Sequence, residues 1–380
     1  MYSKKIQFSS GEVPGLTTSA RPRAVSFFET LAVALVGGVV FTLIQIPLPW
    51  MLGPLSFVMA WQLTTKRTLY WPAIFRDLSS LVLGYMLGAS ITRETGWQIL
   101  HHLPSMVVVT ALTVFFSCTL GYWVAKGAGI GVYSGVFGNV PGGLTQMVLV
   151  SEELDDVDAT VVTFMQMIRL LGVIFIVPFL AVHGLSDDLD VPLNAMLTQT
   201  LPVLPVIPWY AYPLYVLIAL FGAWAGKKIK LPAAVLTGPL IATAIIILIG
   251  MPAPQLPSGA ITVAQLLIGV HIGLQMKVQS LGNIKRLTTF TILSSVVLVL
   301  FSLLLGVVLS GLTGMGVTTG FLSTAPGGIA EMGITAALVH ADLSMVTAYQ
   351  LFRIFFIMFA VPPLLKWWIG RGKKRSRQAA

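Results

Sequence analysis

Two stretches of this 380-residue sequence hold the residues best suited to chemistry. The first reads Gly131-Val-Tyr-Ser-Gly-Val-Phe-Gly-Asn-Val-Pro-Gly-Gly-Leu-Thr-Gln-Met147. The second reads Gly316-Val-Thr-Thr-Gly-Phe-Leu-Ser-Thr-Ala-Pro-Gly-Gly-Ile-Ala-Glu-Met332. Proline lacks an N–H and glycine accepts unusual backbone angles, so each Pro-Gly-Gly should interrupt a helix. The free amides that open the next half-helix favour an anion. Asn139, Pro141, Gly142, Gly143, Thr145 and Gln146 at the first break are therefore candidate solute ligands. Thr324, Pro326, Gly327 and Gly328 are their counterparts at the second. Glu331 stands where the first stretch has Gln146, which makes it a candidate proton carrier; a fixed ion pair is the plainer alternative. Tight packing through small residues is the plainer reading of the glycines themselves.

Each break is followed by an aspartate and then Gln-x-x-Arg: Asp158, Gln166 and Arg169 in one case, Asp342, Gln350 and Arg353 in the other. That spacing sets Gln and Arg on one helical face. Two such arginines suit a carboxylate, or steady the two broken tips. The structural alternative is that they bond helix-end carbonyls or the two aspartates. Asp158 and Asp342 join Glu331 as candidates for proton or ion coupling. His271 lies within an apolar run, as a proton relay or as a packing residue.

Metal and cofactor chemistry finds little support. The single cysteine, Cys118, excludes a disulfide framework or a cysteine-built cluster. His101-His102 is the adjacent histidine pair and no Glu-x-x-His occurs, so copper or di-iron ligation is not expected. No cofactor and no metal are expected, and the chain does not read as an enzyme.

The elements that must hold these residues follow from composition. Apolar residues make up 56% and charged residues 10%, against about 25% charged in soluble proteins. A bilayer core needs about 20 apolar residues per helix. Runs at 25–46, 50–64, 73–91, 104–125, 157–182, 209–226, 231–250, 258–276, 287–312 and 343–365 give ten spans. The Gly/Pro-broken segments 128–151 and 313–339 are two more apolar elements. The expectation is an all-α polytopic membrane protein. The first apolar run reads as a retained helix, not a signal peptide.

The halves match at an offset of 185: Gly53-Pro54-Leu55 with Gly238-Pro239-Leu240, Gly84 and Gly88 with Gly269 and Gly273, Pro141 with Pro326. At 184, Asp158, Gln166, Arg169 and Pro178 meet Asp342, Gln350, Arg353 and Pro362. The organisation is a tail at 1–24, a repeat at 25–183, an acidic linker at 184–208, a repeat at 209–368 and a basic tail at 369–380. If the broken segments re-enter, each repeat crosses five times. With the N-terminus inside, all of the 23 Lys and Arg then fall inside except Arg93, Arg169 and Arg353. If they cross fully, Lys227, Lys228, Lys230, Lys277, Lys285 and Arg286 move outside. Re-entry therefore fits the charges better, and an odd crossing number inverts the second repeat. Inverted repeats are typical of secondary transporters. The +9 net charge then serves orientation and attraction to anionic lipid, without nucleic acid.

On the motifs Gly138-Asn-Val-Pro-Gly-Gly-Leu-Thr-Gln-Met147 and Thr324-Ala-Pro-Gly-Gly-Ile-Ala-Glu-Met-Gly333, each leading into a helix with Asp and Gln-x-x-Arg, the sequence resembles the AbrB membrane-protein family from about residue 25 to 368. The resemblance implies a bacterial inner-membrane protein. Similar proteins carry ammonia monooxygenase or gene-regulation labels, and the family is distinct from the small DNA-binding regulator of that name. The expected function is a secondary transporter of a small, anionic solute by alternating access. A membrane protein that affects gene expression without its own DNA-binding domain is the alternative, and a membrane monooxygenase a disfavoured third. Expected partners are the solute and lipids. A homodimer stays open, and both termini are expected in the cytoplasm.

Overall fold

The computed structural model describes residues 22–142, 144–154, 156–185, 211–275 and 284–378. Residues 186–210, which hold all but the first two residues of the expected linker 184–208, and the N-terminal tail before Pro22 lie outside the described residues, so the readings made on them stand as expectations. The described residues form fourteen α-helices and no strand. They are α1 (Arg23–Leu43), α2 (Pro49–Thr65), α3 (Ala73–Ala89), α4 (Arg93–Ala128), α5 (Val132–Asn139), α6 (Leu144–Glu152), α7 (Ala159–Gly184), α8 (Ala211–Lys228), α9 (Ala234–Leu248), α10 (Ser258–Gln275), α11 (Ile284–Thr313), α12 (Val317–Thr324), α13 (Ile329–Leu338) and α14 (Leu343–Gln378).

Six of them, α1, α4, α7, α10, α11 and α14, contain stretches long and apolar enough to cross a membrane. The chain thus has the character of a multi-pass membrane protein. The other four expected spans, α2, α3, α8 and α9, are helices of 17, 17, 18 and 15 residues. Helix α4 starts well before the apolar run at 104. Thr92 accepts from the Thr95 amide while Thr95 Oγ1 accepts from the Thr92 amide, a reciprocal cap that opens the helix there.

The helices recur at the sequence offset, and so do their contacts. An added Cβ on Gly37 would lie 2.4 Å from the Gly53 oxygen, and one on Gly222 2.6 Å from the Gly238 oxygen. Only small residues permit such approach between helix backbones. Gly84 and Gly88 of α3 abut the Leu236 and Leu240 carbonyls of α9. Gly269 and Gly273 of α10 abut those of Met51 and Leu55 in α2. These contacts join α1–α3 and α8–α10 into one framework. The remaining eight helices form a second body in which α4 packs on α5, α11 and α14, and α11 on α12 and α7. A shared apolar cluster links the two, with Leu52, Leu83, Leu87 and Leu240 from the framework and Ile174, Ile329 and Ile334 from the second body.

Within that body α4 and α11 run antiparallel. Gly127 lies against Phe290, and the rings of Phe116 and Phe301 stack with centroids 3.9 Å apart. These two phenylalanines are 185 positions apart, so counterparts touch each other where the helices cross.

Candidate functional site

Each Pro-Gly-Gly sits at a chain reversal between two short helices. At the first tip the Gly142 amide donates to the Val140 carbonyl (2.8 Å); at the second, Gly327 donates to Ala325 (2.9 Å). Pro141 and Pro326 are thus the central residues of three-residue turns. Helix α5 runs back along α4, with Gly121 on Gly135 and Ser117 Oγ donating to the Asn139 carbonyl (2.5 Å). The Asp158 amide at the start of α7 donates to Ser134 Oγ near the start of α5 (2.8 Å). Helix α7 therefore begins at the end where α5 began, and α6 returns the chain to it. The second hairpin repeats this: Gly306 meets Gly320 and Phe321, Thr324 Oγ1 donates to the Ser302 carbonyl (2.7 Å), and the Asp342 amide donates to Thr319 Oγ1 (3.1 Å).

A helix that stops leaves its last carbonyls without intrahelical donors. The Gln-x-x-Arg pairs supply them. Gln166 Nε2 donates to the Phe137 (3.0 Å) and Val140 (2.9 Å) carbonyls. Arg169 Nη1 donates to Asn139 (3.0 Å) and Val140 (2.5 Å), and its Nη2 to Gln166 Oε1 (2.6 Å). In the second half Gln350 serves Leu322 and Ala325, while Arg353 serves the Ala325 and Gly327 carbonyls and Gln350 Oε1. A cation at a helix C-terminus also complements the dipole. Both arginines are buried, at 5% and 3% exposure, and the Nε of each is buried without a partner. Val173, one turn after Arg169, shares an apolar cluster with Leu322 and Ala325 of the second tip, and Ile357, one turn after Arg353, shares one with Phe137 and Val140 of the first, so the two tips lie near each other. They do so near the α4–α11 crossing, since Ser117 and Ser302 flank Phe116 and Phe301.

Asn139 binds more than its own hairpin: its Nδ2 donates to the Ser117 carbonyl (2.9 Å), and its Oδ1 accepts from Ser294 Oγ of α11 (2.7 Å). Gly142 packs on Met147 and Ile357, and Gly327 on Met332. Glu331 is buried in the first turn of α13. Its carboxylate folds back so closely that a Cβ on Gly328 would lie 2.0 Å from it. Among the described residues it joins no ion pair. Gly143 and the side chains of Thr145 and Gln146 lie outside the described residues.

Asp158 and Asp342 stand apart from the tips. Asp158 Oδ1 accepts from the Thr160 and Val161 amides, and Asp342 Oδ1 from those of Ser344 and Met345. Both are helix caps. His271 bonds Gln275 within α10 (2.7 Å). Among the described residues no three His, Cys, Asp or Glu side chains gather where a metal ion could sit. Sequence reasoning missed Ser117, Ser302 and Ser294. The 185-residue register does pair the first two, and was the signal available.

The family model for AbrB, described as transition state regulatory protein AbrB, matches residues 50–369. A Bacillus subtilis (strain 168) protein named "Uncharacterized protein YhjN" is 28% identical over 354 residues, covering 88% of this chain and 91% of its own length. An Escherichia coli (strain K12) protein named "Putative regulator AbrB" is 23% identical over 336 residues, covering 88% and 94%. With most of its length matched by that family model, the chain belongs to the AbrB family.

Proposed function

We propose that this protein is a secondary transporter of a small, anionic solute, working by alternating access in the bacterial inner membrane. In this reading α1–α4, α7–α11 and α14 cross the membrane, the α5–α6 and α12–α13 hairpins re-enter from opposite sides, and the two repeats are inverted. The antiparallel contact of α4 with α11 supports the inversion, because a two-fold axis along the helices would set them parallel. The observation that carries the function is the approach of the two Pro-Gly-Gly tips, each packed beside the helix that holds the other and each held by a buried Gln-x-x-Arg. Irregular backbone at membrane depth is tolerated where it is sheltered by protein or lines a cavity. Half-helix N-termini that meet at the interface of such repeats bind anionic groups in transporters. Asn139, Thr145, Gln146, Thr324 and the Pro-Gly-Gly residues contact the solute, Arg169 and Arg353 set its charge preference, and Glu331 couples transport to protons. Purified protein in liposomes, given a panel of radiolabelled organic acids under imposed proton and sodium gradients, should accumulate at least one of them. Folded protein that moves none under any gradient would overturn the assignment.

The family description and the E. coli relative's name favour a second reading, a membrane protein that influences gene expression. It gains if Arg169→Ala abolishes flux and leaves the transcriptional effect of deleting the gene fully complemented.

A further inference from the structure

Two helix pairs of the framework, α1 with α2 and α8 with α9, are built on one plan. A Cβ on Gly37 would lie 2.9 Å from the Phe57 Cβ, and a Cβ on Gly222, its register image, 2.8 Å from the Ala242 Cβ. Phe57 and Ala242 are therefore equivalent in space as well as in sequence. Phe41 and Gly226 hold the matching place on the other helix of each pair by the same register. In the first pair the rings of Phe41 and Phe57 meet edge to face across the seam, with centroids 6.3 Å apart. In the second pair Gly226 and Ala242 bring no rings, and the seam is a groove of about 480 Å³. Its wall is apolar, with Leu217 and Ile246 towards one end and Ile229 and Leu231 at the other. The latter end carries Lys227, Lys228 and Lys230. Lys227 pairs with Asp77 (3.6 Å), which also takes Arg76 (2.7 Å). Lys228 Nζ lies over the Trp224 ring, 5.1 Å from its centroid. Among the described residues neither Lys228 nor Lys230 joins an ion pair. The register images of the three lysines are Thr42, Leu43 and Gln45. Cations and groove thus come together in one pair and are replaced together in the other. The rule that keeps lysine in the cytoplasm accounts for the charges and not for the open seam.

We infer that this groove holds one acyl chain of an anionic phospholipid, with the headgroup phosphate against Lys228 and Lys230. From Leu217 to Ile229 α8 rises about 18 Å. One leaflet of a bilayer core is about 15 Å deep. A chain that starts at the lysines therefore runs along the groove to the midplane. Lysines beside a membrane surface attract anionic headgroups. Between lipid and protein the gain comes from close packing, and a flexible chain follows an irregular seam with many small contacts. A second copy of this protein fits less well. A two-fold axis along the membrane normal would bring the same lysines of both copies side by side. The inference rests on α8 and α9 lying in the membrane, as read above, and not on transport.

The test places purified protein in phosphatidylcholine vesicles with a trace of phosphatidylglycerol that carries a diazirine in its acyl chain. After photolysis, peptide mapping should find label on Ala225, Gly226 and Ala242 in excess over Leu220 and Trp224, which are exposed on the same helix pair outside the groove. Unlabelled phosphatidylglycerol should displace it, and added phosphatidylcholine or inorganic phosphate should not. Lys228→Gln and Lys230→Gln should each weaken that preference about fivefold. Ala242→Phe, which copies Phe57, should lower the groove label several-fold. If Ala242→Phe fails to fold, the two lysine variants carry the test, because both side chains are exposed. Equal label on the groove and on Leu220 and Trp224, or displacement by phosphatidylcholine as effective as by phosphatidylglycerol, would overturn the inference and leave the membrane reading in place. No label on either helix would overturn both. An Ile245→Cys protein in a Cys118→Ala background that cross-links to its own kind through a short thiol reagent would put a second copy in the groove and overturn the lipid.

Discussion

A guanidinium placed deep in an apolar protein costs several kcal/mol unless its donors find acceptors. The two arginines here differ in what they leave behind if removed. The Asn139 carbonyl keeps Ser117, and the Val140 carbonyl keeps Gln166 and the Gly142 amide, so Arg169→Ala leaves neither without a donor. The Gly327 carbonyl has Arg353 as its donor, so Arg353→Ala orphans it. A buried unsatisfied carbonyl costs about 1–3 kcal/mol. Arg353→Ala should therefore unfold more easily than Arg169→Ala by roughly that amount, measured by thermal or urea denaturation in detergent. Equal losses would contradict the bonding pattern. Lysine should not rescue Arg353, because one ammonium cannot reproduce the planar fork that meets two carbonyls and an amide oxygen. Glu331→Gln is a different case. The register already places a glutamine, Gln146, at that position of the first hairpin. The variant should fold with stability within about 1 kcal/mol of the parent, keep solute exchange and lose proton-driven accumulation. Retained proton-driven uptake would remove Glu331 from coupling.

At the scale of elements, the hairpins stand where they do because glycine faces glycine. A Cβ on Gly306 would lie 2.6 Å from the Phe321 Cα, which is backbone and cannot swing aside. Gly306→Ala should cost about 1–3 kcal/mol, the range for overpacking. Gly259→Ala is the contrast: it is helical and meets nothing within 4 Å, so it should gain about 0.5–1 kcal/mol. Unfolding midpoints of the two variants should move in opposite directions. These elements were partly legible beforehand. Apolar runs at 73–91 and 258–276 coincide with α3 and α10 because burial in lipid writes itself into composition. The Pro-Gly-Gly breaks coincide with chain reversals because proline and glycine act locally. Partner choice left no such mark. Nothing in the sequence around Ser294 announces that it bonds Asn139, since the two lie 155 residues apart and a serine in an apolar helix has many uses. The capping roles of Asp158 and Asp342 were open to a local reading, as each precedes its helix directly.

For the whole molecule, direction and charge have to agree. Helix α7 begins at the end where α5 began, and α14 where α12 began, by the Asp158–Ser134 and Asp342–Thr319 bonds. Under the proposed assignment each repeat then crosses an odd number of times, and its last helix leaves on the face opposite to its first tail. Two odd repeats return the chain to its starting side, so both termini share a face. Which face is a question of where Lys and Arg gather, because cytoplasmic loops retain them. The tails, Lys66 and Arg67, Lys126, Lys227 and Lys228, and Lys285 and Arg286 all fall on the side of the termini, and Arg93 alone among loop-proximal basic residues falls on the other. A cytoplasm-dependent fluorescent reporter fused after Ala380 should glow, and a periplasm-dependent phosphatase at the same point should stay silent. The same phosphatase inserted within 186–208 should be active. An active phosphatase at the C-terminus would mean a reversed orientation or an even crossing number in just one repeat; a silent one within 186–208 would mean that the first hairpin crosses fully and that the repeats are not inverted.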